Sequence, residues 1–461
     1  MGIDKSPNVK DVKGGTSNGK VWILNSGITV EKDGGLIIDS TDTFWLKIVP
    51  TPTIQQDEQI GLFDKENDTD TNDDEQDDGT ISDTIIRTKH NDSDNYYSKD
   101  QKPIIVSRNN GNNPNGIHVF GSLKIDSVKI TSCNPEKNEV ITFDLGKRPG
   151  GEDTKSKYDT IEPRPFIRVS NEATGTTNIT NSEIAYLGYS CSRCAGISYY
   201  GGIGSIVKGN NIHHLLKGFY SKAMGAMIVE NNTFHDNYLY GIDPHTGTHD
   251  MIIRNNKVYR NNASAIICSK HCYNILFEGN EVYNNGGFAR GIALSINTTH
   301  SVSRNNYVHD QVSCIVSNRG SNFNTIGDNI FSNCNIAVNL ADTSNNIINS
   351  NKIIGAQDAI VLRNITNDII HNKVQNSTYG IVLLNSSAGN HTNIDKDHVL
   401  DRVTYTGFLN NLTMLNEMTD VKIQLSLRIT LLAASMTFKI LNTKVSQSQI
   451  KLKIKKKMLL S

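Results

Sequence analysis

What the sequence lacks narrows its class first. No apolar run approaches the ~20 residues that a membrane span requires. Neither sign of charge dominates, because 46 basic and 47 acidic residues leave a formal net charge of −1. There is thus no whole-protein field to recruit nucleic acid. Aromatics make up 7% and hydrophobic residues 37%. Helix formers are sparse while Asn and Gly abound, a composition suited to turns rather than helices. The opening Met1-Gly2-Ile3-Asp4-Lys5 does not read as a signal peptide, which leaves an intracellular chain or one recorded after a leader.

The seven cysteines are an odd number. Cys191-Ser-Arg-Cys194 and Cys268-Ser-Lys-His-Cys272 resemble half-sites, but neither is followed by the clean second pair that a structural zinc needs. They are expected to be small buried core residues. Proline is scarce too: Pro244 is the last of ten, and none follows it to residue 461.

The chain divides by composition. Residues 1–19 read as a flexible N-terminus, and 20–52 as short strands forming the first coils or a cap. Residues 53–103 contain an acidic run, Asp64 to Asp78, expected to be a solvated, disordered insertion. That run lacks the ordered Gly and terminal Glu of a calcium loop. Strands resume at 104 and continue to 400, with a second polar insertion over roughly 134–160. Residues 401–461 read as a C-terminal cap or an atypical tail.

What is abundant is a repeat. An Asn two places before an apolar residue recurs at Asn210, Asn232, Asn256, Asn280, Asn306, Asn329, Asn351 and Asn372, at spacings of 22, 24, 24, 26, 23, 22 and 21. A small residue followed by an apolar one keeps step: Gly241-Ile242, Ala265-Ile266, Gly291-Ile292, Cys314-Ile315, Ala337-Val338, Ala359-Ile360, Gly380-Ile381. Such a period without helical patterning or regular leucines specifies a solenoid. The expected fold is all-β, a single-stranded right-handed parallel β-helix of about 22–24 residues per coil. Eight marked coils at ~4.8 Å per rung give a surface of roughly 35–40 Å, suited to a linear polymer.

One copy departs from its neighbours: Tyr240-Gly241-Ile242-Asp243-Pro244-His245. Aligned on the small-apolar marks, Ile242, Ile266, Ile292, Ile315 and Ile360 stack inward. Side chains alternate along a strand, so Asp243 and His245 face outward. Their equivalents one and two coils on are Ile267 and Ala293, and Ser269 and Ser295. Pro244, without an N–H, suggests a strand end. Lys222, Lys270, His271 and Arg290 on neighbouring coils would line the same track with cations and bind an acidic polymer. His245 and His249 do not read as a metal pair, since the intervening Thr-Gly-Thr opposes the helix such a pair needs. His249 and Asp250 read as turn residues.

The segment 240–245 resembles the Tyr-Gly-Phe/Ile-Asp-Pro-His signature of mannuronan (alginate) C5-epimerases. The likeness extends to His235-Asp236-Asn237, Ile266-Ile267-Cys268-Ser269 and Tyr283-Asn284-Asn285-Gly286-Gly287, and covers roughly 160–320. The resemblance implies a right-handed β-helix that inverts β-D-mannuronate to α-L-guluronate within a polymer. It implies His245 as base or acid, Tyr240 as the group opposite, and Asp243 as the residue orienting His245 or polarising the substrate carboxylate. Some relatives place a second His where this chain has Arg290, so Lys270, His271 and Arg290 all remain candidates to neutralise that carboxylate, with Lys222 as a further substrate contact. No cofactor or metal is expected to be required, with calcium left open. The expected partner is an anionic uronate polysaccharide, met outside the cytoplasm by a monomer. The same groove would serve a β-eliminating lyase or a non-catalytic carbohydrate binder, and scattered His and Cys leave a copper-delivery β-helix as a further reading.

Overall fold

The computed structural model describes residues 9–12, 20–50, 116–142, 164–189, 193–286, 290–366, 369–384, 393–394 and 399–401. The acidic insertion at 53–103, the strand expected at 104–106 and nearly all of 401–461 lie outside the described residues.

Every regular element described is a strand. Each central coil gives one strand to a twelve-stranded sheet and two short strands to a twenty-four-stranded one. One such coil runs Ile242–His245, Ile252–Arg254, Lys257–Tyr259, and the next begins with Ile266–Ser269. Pairing between coils is parallel, as in Ile242↔Ile266 and Val258↔Val282. The early strands join the same stack: Ile28–Val30 pairs in parallel with Ile117–Val119, and Gly35–Asp39 with Ser122–Asp126. The antiparallel strand Val9–Val12 lies along Lys20–Leu24.

The inward ladder expected from the repeat is present in register, Ile242↔Ile266↔Ile292↔Ile315↔Val338↔Ile360↔Ile381. These residues belong to one continuous buried core. Removing that apolar surface from water is the main force that stacks the coils.

The Asn marks form a second ladder inside the turns. Each Nδ2 donates to the Oδ1 of the next Asn, at 2.9 Å for Asn210 to Asn232 and 3.0 Å for Asn232 to Asn256 and for Asn256 to Asn280. It continues at 2.9 Å from Asn280 to Asn306 and at 2.8 Å from Asn351 to Asn372. Each Oδ1 also accepts the backbone N–H of the preceding Asn, and each Nδ2 caps a backbone carbonyl, as Asn256 does Val229 at 2.9 Å. A buried turn would otherwise strand these groups. A shorter ladder, Asn237 to Asn261 to Asn285, runs beside it.

The cysteines depart in part from the sequence reading. Cys268 and Cys272 are free and buried, as expected of small core residues. Cys314 and Cys334, however, form a disulfide across neighbouring coils, and Cys194 is disulfide-bonded too. The repeat brings Cys314 opposite Cys334 although they are 20 residues apart, a proximity that local spacing does not reveal.

Candidate active site

The departing copy sits on the strand Ile242–His245 of the twelve-stranded sheet. Gly241 precedes it, and its lack of a side chain is a packing requirement. A Cβ there would lie 2.5 Å from Val258 Cγ1 and 2.7 Å from the Ala265 carbonyl oxygen. Pro244 lies within the strand rather than at its end. Ile242 N–H donates to Ala265 O and Thr246 N–H to Ser269 O, both at 2.9 Å. By alternation residue 244 would be the donor between them, and proline has none. Only Ile242↔Ile266 and His245↔Ser269 pair between these two strands.

Asp243 is on the outer side of the sheet but is 1% exposed. The sequence reading placed it on an open surface. In the folded chain a satellite apolar cluster of Leu216, Leu239, Tyr240, Ile267 and Ala293 occupies that face. A carboxylate so enclosed needs a cation, and Lys217 supplies it: Nζ lies 2.9 Å from Asp243 Oδ2. The same ammonium lies 4.5 Å from the Tyr220 ring centroid and 5.5 Å from that of Tyr240, within cation–π range. The Tyr220 ring is in turn 5.7 Å from the His245 imidazole. Phenol, ammonium, carboxylate and imidazole thus form one contiguous cluster.

Lys217 and Tyr220 were not among the residues expected from sequence, yet the signal was available. Gly218-Phe219 carries the small-apolar mark one coil earlier, and Phe219 is in register with Ile242. Extending the alignment by that copy puts Lys217 beside Tyr240 and Tyr220 beside Asp243.

His245 is half-buried, and its Nδ1 lies 2.7 Å from Thr246 Oγ1. Lys222 is its direct partner on the preceding strand and Ser269 on the following one. Lys222 and His271 are exposed and Lys270 is half-buried. Lys270 and His271 make up the turn after Ser269. None of the three forms an ion pair among the described residues. Arg290 stands apart from this turn: it precedes Gly291, its carbonyl accepts from Ala265 N–H at 2.9 Å, and it falls two rungs beyond Tyr240. His249 and Asp250 pair with each other at 2.7 Å, and the imidazole stacks on Tyr273 at 4.8 Å.

One column of charges on the other sheet is mutually satisfied. Lys208, Glu230, Arg254, Glu278 and Arg304 form one register column of alternating sign. Its contacts are 2.9 Å for Lys208–Glu230, 2.6 Å for Arg254–Glu230 and 2.7 Å for Arg304–Glu278. Among the described residues no group of three or more His, Cys, Asp or Glu is arranged to hold a metal ion.

Residues 166–324 match the family described as right handed beta helix region. The mannuronan C5-epimerase of Pseudomonas putida is 25% identical over 297 residues, covering 61% of this chain and 49% of the relative. That of Pseudomonas aeruginosa is 29% identical over 144 residues, covering 29% of this chain and 24% of the relative. The chain thus spans about half or less of the length of these curated relatives. Among solved structures, the periplasmic alginate epimerase AlgG superposes with a TM-score of 0.56 at 16% identity, covering 85% of this chain and 78% of that one. The match in structure is one of fold. No helix among the described residues is long and apolar enough to cross a membrane. The chain is a right-handed parallel β-helix of the kind found in mannuronan C5-epimerases, to which its sequence is similar.

Proposed function

We propose that the chain inverts C5 of uronate residues within an alginate-like polysaccharide, turning β-D-mannuronate into α-L-guluronate. The observation that carries this reading is the buried Lys217–Asp243 pair, packed between Tyr240 and Tyr220 with His245 at the end of the same strand. The C5 proton lies next to a carboxylate, so removing it places a second negative charge on that group. A fixed cation lowers the cost of this charge in a site that excludes water. Lys217 is the best-placed cation, with Asp243 holding its ammonium in position. Lys222, Lys270, His271 and Arg290 then serve the polymer's other carboxylates.

His245 and Tyr240 are the proton-transfer groups of this reading. One accepts the C5 proton, the electron pair moves into the carboxylate, and the other returns a proton to the opposite face of C5. The curated relatives are named for this activity. The substrate class and a setting outside the cytoplasm, in which the chain acts as a monomer without a required cofactor, belong to the same proposal.

Incubation of polymannuronate with the protein in deuterated water, followed by proton NMR, tests it. New guluronate signals with deuterium at C5 and unchanged chain length are expected, and His245→Gln should abolish them. Chain shortening with the ultraviolet absorbance of an unsaturated end would instead identify a lyase. Polymer unchanged in both composition and isotope would leave a carbohydrate-binding solenoid.

A further inference from the structure

The residue after His245 is in an uncomfortable conformation. At the register position just after His245, successive coils carry a residue in the left-handed region: Ala223, Thr246, Lys270, Ile296, Arg319, Asp342 and Asn364. The others have φ between 47° at Asn364 and 63° at Lys270, whereas Thr246 is at 28°. Positive φ is unfavourable for a β-branched residue. Glycine or asparagine would take this turn at less cost. The strain persists because the rungs on both sides fix the backbone. Thr246 N–H donates to Ser269 O at 2.9 Å, and its carbonyl accepts from Ala223 N–H at 2.8 Å. Thr248 Oγ1 donates to His245 O at 2.8 Å and closes the turn.

What threonine adds over glycine or asparagine here is a short hydroxyl directed at the imidazole, 2.7 Å from Nδ1. Backbone strain concentrated at a site is a pointer to a role there. We propose that Thr246 is a positioning residue for His245, its hydroxyl fixing the orientation of the imidazole through Nδ1 so that Nε2 is the nitrogen presented to substrate, whichever nitrogen carries the proton. The role deepens the epimerase reading and rests on His245 as a proton-transfer group.

The chemistry suits a residue that must both accept and release a proton. A hydroxyl is donor and acceptor. It donates to Nδ1 when Nε2 carries the hydrogen, and accepts from Nδ1–H when Nε2 is bare or the ring is charged. The imidazole need not rotate between the two states. A carboxylate in the same place would favour the imidazolium alone. The charged groups around this ring are Lys222 on the preceding strand, Asp243 with its partner Lys217, and Lys270 and His271 on the following turn. Thr246 supplies a neutral contact among them.

The test uses the full chain with 13C-labelled histidine. Relaxation of the His245 ring carbons, assigned by the signals lost in His245→Gln, reports how firmly the imidazole is held in one orientation. Wild type and Thr246→Ser should show a rigid ring. Thr246→Val, which keeps the β-branch but loses the hydroxyl, should show a mobile ring with an unchanged fold by circular dichroism. In parallel, C5 exchange on polymannuronate should slow about tenfold to a hundredfold in kcat for Thr246→Val, with KM nearly constant, and recover in Thr246→Ser. A His245 ring as rigid in Thr246→Val as in wild type overturns the proposal, whatever the turnover. If the ring loosens but wild type turns over no polymer, positioning by Thr246 stands and the epimerase reading falls.

Discussion

Lys217 Nζ meets Asp243 Oδ2 at 2.9 Å across adjacent coils, and the carboxylate is almost completely enclosed at 1% exposure. Attraction and burial oppose each other here, because an enclosed charge is costly unless its partner is present. The two single variants should therefore differ. Lys217→Ala takes the ammonium away from an enclosed carboxylate and should cost about 3–5 kcal/mol in urea unfolding. Asp243→Asn should cost less, since the lysine is partly exposed and can turn its ammonium to water. Combining Lys217→Met with Asp243→Asn should recover much of the loss. Additive losses in the double variant would mean that the pair is not the organising contact of this cluster.

Gly241 tests why the signature has glycine before its apolar residue. With Val258 Cγ1 and the Ala265 carbonyl both inside contact distance of a built Cβ, Gly241→Ala must push the Tyr240–Asp243 segment off its neighbouring coil. A loss of about 1–3 kcal/mol is expected by the usual cost of overpacking, together with lower turnover on polymannuronate. Gly35→Ala, also in a strand, is the control, because no atom lies within 4 Å of its Cβ position and its φ is not in the left-handed region. Equal stability losses at the two sites would mean that crowding is not the cause at Gly241.

The difference between what the sequence disclosed and what it hid follows from how each interaction is specified. Ile242, Ile266, Ile292, Ile315 and Ile360 were legible as a stack because burial recurs every coil and the small residue before each is demanded by the next coil's backbone. Asn210 to Asn372 were legible because the turn poses the same hydrogen-bond problem each time. Tyr240, Asp243 and His245 stood out by breaking that repetition. The enclosure of Asp243 was not legible, since the apolar cluster on that face gathers Leu216, Leu239, Tyr240, Ile267 and Ala293 from different coils. Nor was Lys217 read, because its relation to Asp243 exists only after the coils are registered one against another.

The Asn ladder should behave as a chain of shared bonds rather than as independent contacts. Asn256 donates to Asn280 and to the Val229 carbonyl and accepts from Asn232 twice. Asn256→Ala strands several buried groups, and each unsatisfied group costs about 1–3 kcal/mol. Asn211, by contrast, is exposed and its amide oxygen meets only the His235 imidazole, at 2.9 Å, among the described side-chain contacts. Asn256→Ala should therefore lower the urea midpoint more than Asn211→Ala. The reverse order would assign coil cohesion to the apolar column alone.

Acid should weaken the fold through identifiable carboxylates, and Glu183 is the clearest. A hydrogen bond with His213 and the Lys129 ammonium at 2.9 Å hold its carboxyl down to about 2, from an ordinary 4.5. A carboxyl whose folded value is depressed adds stability that is complete above its unfolded value and is lost as pH falls toward its folded one. The contribution of Glu183 is therefore present above pH 4.5 and disappears on descending to about 2. Chemical denaturation of wild type and Glu183→Gln across this range should give curves that are separated near neutrality and converge as the pH falls. Asp236, held low by Arg260 and then His235, falls away in the same direction in both proteins and cancels in the difference. A separation between the two curves that stays constant through the acid range would show that Glu183 stabilises by packing and not by its charge.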